Sequence, residues 1–384
     1  MKFSFSQEQE EFRSNLRRFL VDRSPTGEVR RLMETDAGWE RAAWQRINEA
    51  QGLTALRIPE AHGGHGFGFG ELGIVLEEMG RVLLCAPYFA TAVLATGAIL
   101  NGGTAADHAA LLPGIADGRV IATLASAEDG GGWDGAATTL TATPAGGGWR
   151  LNGHKNFVLD GHTADLIVVL ARAPGSAGED GLSLFTVPGD AAGLGRRKLA
   201  TLDPTRKLAR LEFRDVAATL LGTEGAAAAP FARTMAEAAA CLANEMVGGA
   251  ERLREDALAY AMMRMQFGRP IASFQSMKHK AADMLLEVEL AKSAAYYAAA
   301  ALDDGDADAA ATASLAKACA SDAYTQTAVH AVQIHGGIGF TWDNDTHLWF
   351  KRAKASEVLF GDAHHHREAM MRHMAAAGSP VDAA

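Results

Sequence analysis

Five basic side chains, Arg264, Arg269, Lys278, His279 and Lys280, fall close together on either side of a Gly268-Arg269-Pro270 break. A guanidinium can fork onto a phosphate or carboxylate, and an ammonium adds a compact charge. The cluster suits an anion, or else forms a solvated basic corner of a helix pair. A second stretch, Gln333 to Gly339, reads QIHGGIG. Gly336, Gly337 and Gly339 remove three side chains, so a bulky group can approach and backbone N–H groups can face a pyrophosphate. A glycine-rich turn between helices is the plainer alternative. The consecutive His364, His365 and His366 point about 100° apart on a helix and cannot all close on one ion. The glycines from Gly63 to Gly70 follow no strand and precede no lysine of the phosphate-loop kind. Cys85, Cys241 and Cys319 are scattered, with no disulfide framework and no zinc spacing, so no metal site is expected.

These groups need elements to hold them. Before the break Leu253, Ala257, Tyr260 and Met263 recur at three- and four-residue steps. After it Phe274, Met277, Ala281, Met284 and Leu285 do the same. The period predicts one apolar face on each of two helices. Pro270 lacks a backbone N–H and Gly268 accepts unusual backbone angles, so 266–270 is expected to be a rigid turn at a helix end. Phe5, Phe12, Leu16, Phe19 and Leu20 line another helix, as do Trp44, Ile47, Ala50 and Leu53. Residues 72–81 and 86–100 read as two more. From about 119 the segments VIATLAS, TTLTATP, DLIVVLAR and GLSLFTVP are short, glycine-bounded and rich in Val, Leu, Ile and Thr, which predicts an antiparallel β domain. Beyond 226 the chain is alanine-rich and helical again. A last helix is expected over SEVLFGDAHHHREAMMRHM, making a bundle of the four-helix type. Helices, then strands, then helices predict an α+β multidomain chain with domains 1–118, 119–222 and 226–384.

A length of 384 residues allows two or three domains. With 48% hydrophobic and 21% charged residues, the composition fits a soluble globular protein with an ample core. The net charge of −10 and the lack of a basic tail argue against nucleic acid. No run approaches the ~18 apolar residues of a membrane span, and MKFSFSQEQEEF lacks the apolar centre of a signal peptide. The cytoplasm is the expected compartment.

Arg264, Phe267, Gly268, Ile271 and Gln275 form the pattern R-x-x-F-G-x-x-I-x-x-x-Q, which resembles a signature of the acyl-CoA dehydrogenase family. Gln333, Gly336, Gly337, Gly339 and Phe340 resemble that family's Q-x-x-G-G-x-G-[FY] segment, and PEAHGGHG resembles its P-E-x-x-G-G-x-G loop. LNGHKNFVLDGHTAD is similar to L-N-G-x-K-x-[WF]-I-[TS]-N-G-x-x-A-D, and LASAEDGG to the T-E-P-x-A-G-S loop. The resemblance covers nearly the whole chain. It implies FAD, met by Arg264, Phe267 and Gln275 from a neighbouring subunit, by Gln333, Gly336 and Gly337, and by Ser126, Phe157 and Val158 around the flavin ring. Leu159 stands where the family has a threonine or serine, so one hydroxyl contact is lost there.

The resemblance further implies α,β-dehydrogenation of an acyl-CoA, with electrons passing to an electron-transfer flavoprotein, in a homo- or heterotetramer. Such a reaction needs a carboxylate of raised pKa in a dry pocket. The family's commoner position for that base, before the last helix, holds Phe360 here, with Asp362 two residues on. Its second position, on the long helix, falls on Ala238. Glu237 is one residue away, about 100° round the helix, and Glu245 shares Ala238's face about two turns on; these two are the candidate catalytic bases. Asp343 ranks below them as a structural acid. The Trp342-Asp343-Asn344-Asp345 loop and the FGDAHHHR turn resemble the subgroup that works as two unlike chains on steroid or other bulky acyl-CoAs. There a partner can supply the base, and this chain can be a non-catalytic subunit. A flavin monooxygenase or oxidase on the same fold is a third expectation. His364–His366 then either start a solvated helix or touch the adenine end of the cofactor.

Overall fold

The computed structural model describes residues 5–376; the ends of the first and last expected spans, 1–4 and 377–384, lie outside them. Helices come first: α1 (Gln7–Arg23), α2 (Thr26–Met33), α3 (Arg41–Gln51), α4 (Phe69–Arg81), α5 (Thr96–Gly102) and α6 (Ala105–Ala116). Capping boxes, Ser6 with Gln9 and Thr104 with Asp107, satisfy the first free amides of α1 and α6. The helix expected over 86–100 begins as a π-helical run, Phe89–Ala95, and continues into α5.

The strands follow: β1 (Ala122–Ala125), β2 (Thr141–Ala145), β3 (Gly148–Leu159), β4 (Leu166–Arg172), β5 (Leu182–Pro188), β6 (Leu194–Lys198) and β7 (Leu208–Leu221). They pair in the order β4-β2-β3-β7-β5, and β5 returns to β4, so the sheet closes on itself. β1 adds to β4, and β6 adds to β7. The pairings β2–β3, β3–β7, β4–β5, β5–β7 and β6–β7 are antiparallel, as expected; the exceptions are β1, which runs parallel to β4 from Ala122↔Leu166 to Ala125↔Val169, and one parallel pair between β2 and β4. The β2–β3 hairpin lies between β1 and β4 in sequence, a crossover long enough for parallel pairing. Side-chain alternation carries no sign of strand direction. Leu151, Val169, Phe185, Leu211, Phe213 and Val216 fill the interior.

The last elements are α7 (Ala228–Met263), the two-residue strands β8 (Met265–Gln266) and β9 (Arg269–Pro270), α8 (Gln275–Asp303), α9 (Ala309–His335), α10 (Thr346–Val358) and α11 (Ala363–Ala376). The single helix expected over SEVLFGDAHHHREAMMRHM is instead α10 and α11, broken at 359–362. Phe360 and Gly361 both adopt positive φ, 61° and 107°, which ends helical hydrogen bonding.

By compactness the chain divides into one unit of 1–30, 69–84 and 239–384, and another of 31–68 and 85–238. The expected span 1–118 is therefore shared between the two. In the first unit α9 packs against α8, α10 and α11, and α4 packs against α1 and α8. Leu253, Ala257 and Met284 are buried as the period predicts, but Met263 and Leu285 are exposed. α8 presents a second apolar stripe, Leu285, Leu286 and Leu290, facing away from the core of Met284, Val288, Ala291 and Ala295. Among the described residues no helix is long and apolar enough to cross a membrane.

Two glycines let α4 and α7 touch backbone to backbone. A Cβ on Gly248 of α7 would lie 1.9 Å from the Glu77 carbonyl of α4, and one on Gly80 of α4 would lie 2.0 Å from the Glu245 carbonyl of α7. Helical backbone cannot yield as a flexible side chain can. Gly248→Ala is expected to force these helices apart and lower stability by about 1–3 kcal/mol, despite alanine's better helix propensity. Urea denaturation of the purified variant checks this, and an unchanged midpoint would count against the crossing.

Candidate functional site

The basic cluster grows from a tight hairpin. β8 and β9 pair Met265 with Pro270 and Gln266 with Arg269. The two residues between them, Phe267 (φ 52°) and Gly268 (φ 77°), are both left-handed, the geometry of a two-residue hairpin turn. The rigid turn expected at 266–270 is this hairpin. Phenylalanine adopts such a backbone only under constraint. Its side chain gains no shelter in return, being 90% exposed. Arg269 lies over the Phe274 ring, 4.2 Å from its centroid. Arg264 is exposed, and so is Gln275 at the start of α8, where its Nε2 donates to His279. α8 has no side-chain cap, so its first amides are available to an acceptor.

Lys280 links this cluster to the glycine corner, donating to Gln333 Oε1 at 3.0 Å. Gly336 (φ 69°, ψ −149°) ends α9. A Cβ at Gly336 or Gly337 would meet nothing within 4 Å, whereas one at Gly339 would lie 2.8 Å from the His335 Cβ. The first two glycines open a surface, and the third permits packing. An acidic pyrophosphate fits such a corner: exposed backbone, basic side chains and an uncapped helix start, all within one unit.

In the other unit lie Ser126, Phe157 and Val158. A bulge between Lys155 and Val158 interrupts β3, and Phe157 sits in it with φ 55°. The bulge turns the ring outward, leaving it 40% exposed while Val158 joins the sheet interior. Contact from Val158 to a cofactor would thus go through its backbone. Behind them lies a pair that sequence reasoning missed. Lys155, fully buried, donates to Ser126 O and to Glu128 Oε1, each at 2.8 Å. Burial pushes this ammonium down to about 8.

Neither candidate base is free. Glu237, in the second unit, accepts from Arg57 at 3.3 Å, Asn101 at 3.1 Å and Arg233 at 3.2 Å. Glu245, in the first, accepts from the buried Arg352 at 2.9 Å. Each carboxylate thus already has a guanidinium partner within its own unit. Asp343 is exposed, and its neighbour Asp345 takes the structural role, accepting from Arg30 at 2.7 Å. Among the described residues no three His, Cys, Asp or Glu side chains gather as for a metal ion.

Profiles described as acyl-CoA dehydrogenase N-terminal, middle and C-terminal domains match residues 6–119, 123–216 and 212–375. The chain is 31% identical over 354 residues to the acyl-CoA dehydrogenase IpdE2 of Mycobacterium tuberculosis, covering 92% of this chain and 93% of that one. It is similar to the solved Tcur3481-Tcur3483 steroid ACAD G363A variant, with TM-score 0.87, 31% identity, and coverage of 97% and 99%. It also resembles the ChsE4-ChsE5 complex from Mycobacterium tuberculosis, with TM-score 0.87, 26% identity, and coverage of 98% and 99%.

The turn between α10 and α11, which carries Phe360, is held by buried groups. Lys317 of α9, also fully buried, donates to Ser321 Oγ (3.0 Å) and to the carbonyls of Glu357 (3.2 Å) and Gly361 (3.0 Å). His366 donates to the Phe360 carbonyl at 3.1 Å, and Asp362 caps α11 by accepting from the His365 amide at 2.8 Å. One of the three consecutive histidines is therefore a buried clamp. Burial pushes Lys317 down to about 7 from the ordinary 10.5, against the pull of Asp362, Glu357 and Asp322. Between those values the unfolded chain holds a proton that the folded chain has shed, so this lysine makes stability rise with pH across that window. Lys317→Met is expected to flatten the rise, read as denaturation midpoints from pH 7 to 10. A slope equal to the parent's would refute the assignment.

Proposed function

The chain belongs to the acyl-CoA dehydrogenase family, an FAD-dependent oxidoreductase family, and from that premise we propose that it serves the α,β-dehydrogenation of a bulky acyl-CoA as one chain of a multi-subunit flavoenzyme. Electrons would leave to an electron-transfer flavoprotein. One observation carries this reading. Phe157 and Phe267 are both large, exposed and held in left-handed backbone. Both stand at positions the family uses against its cofactor.

FAD, when bound, supplies the two-electron acceptor. Arg264, Phe267 and Gln275 would meet the FAD of a neighbouring subunit, and Gln333 with the Gly336–Gly337 backbone would face a pyrophosphate. Ser126, Phe157 and the Val158 backbone would seat the ring. Phe157 presents an apolar ring surface and excludes water from it, and strained backbone of this kind fixes the ring's direction before binding.

The multi-subunit part rests on exposed apolar surface. Met262, Met263, Met265, Phe267, Leu286, Leu290, Phe340 and Trp342 are each more than half exposed. Exposed apolar side chains in this number within one unit support a protein contact. The proton-abstraction part rests on the occupied carboxylates: with Glu237 and Glu245 already bonded, and Phe360 in the third place, a partner chain would bring the base. The ChsE4-ChsE5 complex is a related assembly of two named chains.

FAD content scored with and without co-expression of a homologous chain tests this. Flavin bleaching on anaerobic acyl-CoA addition only in the co-expressed protein is expected. Full bleaching by the single chain, lost in the Glu237→Gln/Glu245→Gln double variant, would place the base in this chain. Arg264→Ala is expected to lower FAD retention about ten-fold or more, because a charge-assisted phosphate contact is worth roughly 1.5–3 kcal/mol. Unchanged flavin content after gel filtration would remove Arg264 from the site.

A further inference from the structure

We propose that the buried Lys155–Glu128 pair is a positioning device, coupling the Ser126 loop to the Phe157 bulge so that the flavin ring is seated at one fixed angle. The proposal rests on the flavin reading above and adds residues to it.

The loop and the bulge come from separate parts of the sheet, and three bonds lace them. Lys155 Nζ holds the Ser126 carbonyl at 2.8 Å, the Asn156 amide donates to the Ala127 carbonyl at 2.8 Å, and Asn156 Nδ2 donates to Asp129 Oδ1 at 2.8 Å. Asn156 also steadies the bulge, since its Oδ1 accepts from the Phe157 amide at 3.1 Å. Asp129 is held from β7 by Arg210 at 2.7 Å, and His154 Nε2 lies 3.0 Å from its other oxygen.

Glu128 extends the lock. Beyond Lys155, its carboxylate accepts from the Thr139 amide at 2.9 Å, the Leu140 amide at 3.0 Å and the Thr139 hydroxyl. A single carboxylate thus closes the excursion from Ser126 to the start of β2, a stretch that carries Gly130, Gly131 and Gly132 and has little stiffness of its own.

Stability does not explain this arrangement. A buried ion pair is a weak stabiliser, and apolar replacements of similar volume are often neutral or better. What an ion pair provides and a methionine cannot is direction: Lys155 aims one N–H at a backbone carbonyl and another at a carboxylate. Both bonds tie Lys155, two residues before Phe157, to the Ser126–Glu128 loop, and the Asn156 bonds add a second tie directly beside Phe157.

The experiment uses the FAD-loaded protein, co-expressed with its partner chain if loading requires it. Lys155→Met and Asn156→Ala are compared with the parent by visible-region circular dichroism of the bound flavin and by iodide quenching of its fluorescence. These readouts report ring environment, which a purely structural residue would leave alone. The expected result is FAD retained, with the dichroic amplitude falling at least about two-fold and quenching rising in Lys155→Met, and a smaller change of the same sign in Asn156→Ala, because small misplacement of a positioned group has large effects. Asn156→Ala carries the test if Lys155→Met does not fold. Parent-like dichroism and quenching in a flavin-loaded variant, even one that melts earlier, overturn the proposal. A parent that never binds FAD rejects the flavin reading itself, a distinct outcome.

Discussion

Lys155 and Lys317 sit in different units, yet both ammonium groups are shut off from solvent and each remains there only by meeting oxygen acceptors at about bonding distance. Those acceptors are mostly backbone carbonyls: Ser126 for one lysine, Glu357 and Gly361 for the other. A charge removed from water therefore specifies the path of the chain around it. The two paths so specified are the loop beside Phe157 and the turn that carries Phe360. Glu128, Glu245 and Arg352 obey the same rule, and all are buried and bonded. The polar interior is thus less a source of stability than a set of fixed lengths between segments.

Strain is concentrated where those lengths end. Phe157, Phe267 and Phe360 are large non-glycine residues with positive φ. Such conformations cost of order 1–3 kcal/mol each and persist only when their surroundings over-determine them. Phe360 recovers that cost by burial. Phe157 and Phe267 do not, and in both cases the ring is left facing outward. Neither exposed ring offsets its backbone strain by burial within its own unit, which is why cofactor and partner enter the functional reading together.

Much of the chain was legible in its residues. Helical period placed Leu16, Leu20, Leu253 and Met284 in the interior, where they are. The Gly268-Arg269-Pro270 break marked a turn, and Gly336 and Gly337 marked open backbone. The bulge at Phe157 was not legible, because a bulge is a mismatch between two strands and shows only when β3 meets β7. Strand direction at β1 was invisible for the same reason. The split of the last helix was missed because helix-forming residues flank a turn held from outside by Lys317.

The candidate bases show most clearly where local reasoning stops. Residue types and a period of 3.6 determined which helix face Glu237 and Glu245 occupy, which apolar stripes exist, and which glycines leave the backbone bare, since each depends on neighbours a few residues away. Which side chains those carboxylates hold was decided by the fold, which brings up Arg57, 180 residues from Glu237, and Arg352, 107 residues from Glu245. A hydrogen-bonded ion pair needs its partners within about 3 Å, and only folding brings residues so distant in the chain that close.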